Sequence, residues 1–245
     1  DAAPSGIPGV CVARRGVLGA ASAAITLFGV LGAGAAPVAA ATPGGVAHRK
    51  RVCAAKPAGS VACRAHVVTD ANLHPVATTT DQNGYTPTQL STAYGLSAGS
   101  APTVAIVDAY ANPNAAADLA AYRAQFNLSP ATLTQSNQSG GPISTVSGNT
   151  GWGQEEMLDL EMVSAICPSC HIVYVGANSA SFNDLGAAVD QAARLGAKVI
   201  SNSYGGSEFS GEATIASHYN HSGIAITVSS GDSGYGAPYG KKPTW

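Results

Sequence analysis

The run Thr103-Val104-Ala105-Ile106-Val107, closing on Asp108, decides the fold. It is short and apolar, as expected of a buried strand, and the runs 198–201 and 224–228 show no in/out alternation, as expected of strands covered on both faces. An Ala-rich helix follows from Asn114 to Phe126, with Asn114 as its cap. Upstream, residues 86–94 read as a short helix with Thr86 at the cap and Pro87 at the first helical position. Downstream, residues 135–150 form a Gly/Ser/Asn-rich loop. Helix 154–165, strand 172–175, helix 181–195, strand 198–201, helix 211–222 and strand 224–229 then alternate. Strands alternating with helices predict an α/β fold, a parallel sheet with helices on both faces. Ligand sites in such folds lie past the carboxyl ends of the strands. Here those ends are Asp108, residues 176–178, 202–206 and 230–234.

Composition narrows the function. The 245 residues carry 12 Lys+Arg against 14 Asp+Glu, a net charge of −2, which argues against a nucleic-acid binder with a basic stripe. Arg14-Arg15 precede an apolar Gly/Ala-rich run to about Ala35, and Ala39-Ala40-Ala41 offers a small-residue cleavage site. Residues 1–41 are therefore expected to be an export signal, which implies a secreted protein with no membrane attachment after cleavage. Residues 42–83 are polar, with a basic cluster at His48-Arg49-Lys50-Arg51, and read as a linker or short pro-region. The organised domain is expected over residues 84–245.

An exported protein meets an oxidising compartment, so local disulfides Cys53–Cys63 and Cys167–Cys170 are expected. Cys167-Pro168-Ser169-Cys170-His171 also fits the attachment pattern of c-type haem, and a redox dithiol is a third reading. Neither has the surrounding sequence it needs, and a staple between helix and strand is preferred.

Residues 154–162 put acids into an apolar helical pattern. Met157, Leu158, Leu160, Met162 and Ala165 mark an apolar face, while Glu155 and Asp159 stand i and i+4 on one face. Like charges at that spacing are destabilising, and a chain only 11% charged has little reason to place them there without use. Serine-protease patterns built on histidine fail. Ser229-Ser230-Gly231-Asp232-Ser233-Gly234 has a trypsin-like string but no Ala-His-Cys segment upstream, and no histidine stands in a His-Gly-Thr setting to partner Asp108. His218 and His221 lie three apart, but no third metal ligand is evident, so a solvated helix face is expected.

Five stretches together resemble the sedolisin peptidases, serine-carboxyl relatives of subtilisin. They are residues 85–96, 104–110, 155–161, 199–206 and 229–234, and the resemblance runs from about Gly84 to Trp245. It implies a subtilisin-like parallel sheet, here incomplete at the C-terminus. It also implies a Glu/Asp dyad in place of the histidine base: Glu155 as base, with Glu156 as a rival, and Asp159 as its partner. Asp232 matches the oxyanion residue, where a protonated carboxyl can donate to developing negative charge. Ser203, Tyr204, Gly205 and Gly206 match the segment that pairs with extended peptide substrate. Asp108 keeps a structural role at the strand end.

The family's nucleophilic Gly-Thr-Ser segment is absent from these residues, and so is its calcium site. The resemblance therefore implies calcium only in the intact family member, with no metal ligands in this chain. The expectation is a secreted, monomeric serine-carboxyl endopeptidase acting on polypeptides at acid pH, seen as an N-terminal fragment that is inactive alone. The alternative is a non-catalytic, peptide-binding homologue.

Overall fold

The computed structural model describes residues 48–54, 60–75, 85–96, 99 and 101–231. The expected export signal and the oxyanion candidate Asp232 lie outside the described residues. Five parallel strands form the main sheet: β4 (Thr103–Ala109), β5 (Thr132–Asn137), β6 (His171–Ala177), β7 (Val199–Asn202) and β9 (Ala225–Val228), in the order β5-β6-β4-β7-β9. The expected α/β fold, a subtilisin-like parallel sheet covered by helices on both faces, is present.

Alternate residues of the central strands explain the two covers. Ala105, Val107, Val173 and Val175 pack with Leu185, Ala188, Val189 and Ala192 of α4 (Phe182–Arg194). Ile106, Ile172 and Tyr174 turn the other way, against Leu119 of α2 (Ala115–Gln125) and Leu160 of α3 (Thr150–Ile166). The β4–α2–β5 and β6–α4–β7 crossovers run in opposite directions along the sheet with their helices on opposite faces, so they share one hand. The β5–α3–β6 crossover runs back along the sheet on the α2 face, and therefore has the opposite hand. That reversal, rare among parallel connections, brings α3 across the top of β4.

Several elements differ from expectation. Strand β4 continues through Asp108 to Ala109, which puts Asp108 inside the strand rather than at its end. Part of the expected 135–150 loop is β5, an edge strand whose polar residues Thr132, Thr134 and Gln135 carry no apolar pattern. Helix α3 starts at Thr150, four residues early, because the Asn149 side chain accepts from the Trp152 N–H despite two glycines in the first turn. Asn114 precedes α2 but makes no side-chain cap. The expected helix 211–222 is one α-helical turn, α5 (Glu212–Ile215), followed by a 3₁₀ turn over Ala216–Tyr219. Strand β9 is mostly exposed rather than buried, since it forms the sheet edge.

The short helix α1 (Pro87–Ala93) has the expected Thr86 cap, reinforced by the Gln89 side chain in a capping box. Ahead of it, the expected linker carries structure: β1 (His48–Arg51) and β3 (His66–Thr69) pair antiparallel, with β2 (Ala62–Cys63) between them in sequence. Both expected disulfides, Cys53–Cys63 and Cys167–Cys170, are formed. Among the described residues, no helix is long and apolar enough to cross a membrane.

Candidate active site

The amphipathic reading of α3 holds for Leu160 and Ala165, which are buried, but not for the rest of the helix. Leu158 and Met162 are exposed, whereas Glu155 and Glu156 are 2% and 0% exposed. The helix turns its acids inward because the protein supplies them with main-chain donors. Glu155 Oε2 accepts the N–H groups of Arg64 at 2.6 Å and Ala65 at 2.5 Å. Glu156 Oε2 accepts the N–H of Asn112 at 2.7 Å, and its Oε1 is buried without a partner. One turn further, Asp159 Oδ1 accepts the Ser203 hydroxyl at 2.8 Å, while Oδ2 is buried and unpartnered.

Asp108 faces this group from β4. It is fully buried, and neither carboxyl oxygen has a hydrogen-bond partner. An ionised carboxylate held that way would be severely destabilising, so the group carries its proton instead. Burial pushes its pKa well above the carboxylate range, reinforced by Asp159, then Glu155 and Glu156. Burial likewise raises Asp159 to about 6, opposed by the Ser203 hydroxyl. Glu156 is raised to about 8, again by burial, with the Asn112 N–H acting against it. Asp108 thus lies within electrostatic reach of Asp159, Glu155 and Glu156, and it and Glu156 hold their protons at neutral pH. Such a cluster can store and hand on protons without histidine.

The approach to the acids is tightly built. Tyr110, immediately after β4, has φ 70°, a left-handed conformation costing a non-glycine residue about 1–3 kcal/mol. Its N–H bonds the Ala177 carbonyl, and its own carbonyl accepts the Tyr174 hydroxyl at 2.9 Å. Gly176 must be glycine, since a Cβ there would lie 2.5 Å from the Tyr110 carbonyl oxygen.

Ser203, Tyr204, Gly205 and Gly206 follow β7, with Tyr204–Gly205 forming β8. The Tyr204 hydroxyl donates to Asn202 Oδ1 at 2.7 Å and lies 3.0 Å from the Tyr219 hydroxyl, which fixes this edge from beneath. Strand β8 and Ala180–Ser181 flank residues 60–63, which pair with both. Ser203 links β8 to Asp159 through its side chain, a role that its expected main-chain contact with substrate did not anticipate.

Glu155, Glu156, Asp159 and Ser203 come together, and Asp108 faces the three acids from within β4. Its signal was visible: an acid at the end of an otherwise apolar strand in a charge-poor chain. The Arg64 and Ala65 main-chain donors had no side-chain signature to find. His218 and His221 are partly exposed, and each ring pairs with one oxygen of Asp190, at 2.8 and 3.0 Å. Among the described residues no His/Cys/Asp/Glu cluster offers a metal site, so no chemistry here is assigned to calcium.

No protein-family profile and no curated protein matches the chain. Among solved structures, the chain is similar to Pseudomonas sedolisin, a serine-carboxyl proteinase solved in complex with two molecules of pseudo-iodotyrostatin. The two share 25% sequence identity over 62% of this chain and 45% of that one, with a TM-score of 0.51. This chain thus spans less than half the length of that proteinase.

Proposed function

We propose that this chain is the acid-bearing part of a secreted serine-carboxyl endopeptidase of sedolisin type, acting on polypeptides at acid pH. The observation that carries the reading is the buried Glu155–Asp159 pair, tied through the Ser203 hydroxyl to a strand edge suited to an extended peptide. In the proposed mechanism Glu155 takes the proton of a serine supplied from outside these 245 residues. Asp159 shares that proton and Asp108 stabilises the sharing, while Asp232 donates to the oxyanion. Peptide main chain pairs along Ser203–Gly206. Asp159, held at about 6 by burial, takes up its proton as the medium turns acid and can then donate to an ionised Glu155.

The test is proteolysis by the whole protein that contains this chain. Unfolded casein should be degraded at pH 4 at least tenfold faster than at pH 8, and Asp159→Asn should remove most of the acid rate. Saturable peptide binding without cleavage at any pH would replace the peptidase with a non-catalytic, peptide-binding homologue.

A further inference from the structure

The groove beside the acids is already filled by the protein itself. On one side, Ser60 bridges Ser181 in antiparallel register, and the Val61 N–H donates to the Ala180 carbonyl at 3.1 Å. On the other, Ala62 and Cys63 pair antiparallel with Gly205 and Tyr204. The segment then reaches the acids, where the Arg64 and Ala65 N–H groups occupy Glu155 Oε2. Residues 61 to 65 are all buried. Gly206 has no side chain to spare for this crossing, since a Cβ there would stand 2.8 Å from the Ser60 carbonyl oxygen.

Both ends of the crossing are fastened. Cys63 is joined to Cys53, and the Val52 N–H bonds the Ala65 carbonyl at 3.0 Å. The disulfide rests on the start of α3, where Gly151 leaves room for the Cys53 sulfur. A strand paired on both edges and running to the acids uses the main-chain groups that an added peptide strand would need.

We propose that residues 60–65 are the built-in occupant of the peptide groove, and that the Cys53–Cys63 loop latches them there. The segment excludes an extended peptide and keeps Glu155 engaged, so the groove is blocked until the segment leaves. This rests on the reading of the groove as a peptide site. Because the segment is tethered, its effective concentration is on the order of millimolar or higher, which a free peptide must outcompete.

The test uses a fluorescent peptide with the sequence of residues 59–66, alanine replacing cysteine, titrated into the oxidised chain and into a Cys53→Ala, Cys63→Ala variant. The variant should bind at least tenfold tighter. Equal, saturable affinity for both chains would overturn the latch while leaving the groove reading intact. No saturable binding to either chain would overturn the groove reading and the latch with it. Should the variant not fold, hydrogen exchange on the oxidised wild type gives the answer. Saturating peptide should accelerate exchange across residues 60–65, and unchanged protection with peptide bound would overturn the proposal.

Discussion

Replacing Glu156 by Gln should stabilise this protein, and by an amount that depends on pH. The carboxyl ordinarily titrates near 4.5, and in the fold near 8, because burial penalises its charged form. Between those values folding takes up a proton, so stability falls as pH rises through the window, and the loss is complete above it. The linkage relation gives a penalty from this one group of about 1 kcal/mol at pH 5 and about 3 kcal/mol at pH 7. Glutamine cannot ionise, and its carbonyl can still accept the Asn112 N–H that Glu156 accepts at 2.7 Å. Glu156→Gln should therefore sit within about 1 kcal/mol of wild type at pH 5 and gain about 2 kcal/mol more than that at pH 7. Urea unfolding of both proteins at the two pH values measures this directly. An offset between them that is the same at pH 5 and pH 7 would refute the claim that Glu156 is folded in its protonated form.

Other consequences can be checked on the same chain. Asp108→Asn should leave the wild-type melting temperature unchanged at pH 4 and raise it at pH 7, since its pKa, too, is held high by burial and neighbouring acids. A lower melting temperature at both pH values would contradict a protonated Asp108. Ser203→Ala removes the donor that opposes the upward shift of Asp159, so carboxyl NMR should find Asp159 titrating above about 6. The same variant should lose about 1–2 kcal/mol of stability near neutral pH, where the buried Asp159 oxygen is left without that donor. Gly176→Ala drives a methyl against the Tyr110 carbonyl and should lose about 3 kcal/mol in chemical denaturation.

The legible parts of this fold were those with a local signature. Val104 to Val107 announce a buried strand, and Thr86-Pro87 announce a capped helix. What stayed hidden depends on distant partners. Thr132 to Asn137 form a strand only because β6 offers them an edge. Residues 60–65 look like a linker until β8 and Ala180 pair with them.

The same distinction governs the candidate site. The Glu155–Asp159 spacing was legible, because helical geometry alone puts the two on one face. Its orientation was not. Leu158 and Met162 make the opposite face look like the core side, and only the Arg64, Ala65 and Asn112 main-chain donors make it possible to bury the acids. Asp108 was visible as an anomaly but acquires meaning only from the reversed β5–α3–β6 crossover, which brings α3 over it.

The central claim is that Glu155 is the base of an acid-adapted peptidase. Its most direct test is kcat/KM for an extended peptide at pH 4, measured on the whole protein as wild type and as Glu155→Gln. Loss of the general base predicts a fall of at least about a hundredfold with folding intact. A Glu155→Gln variant that cleaves at the wild-type rate would contradict the account.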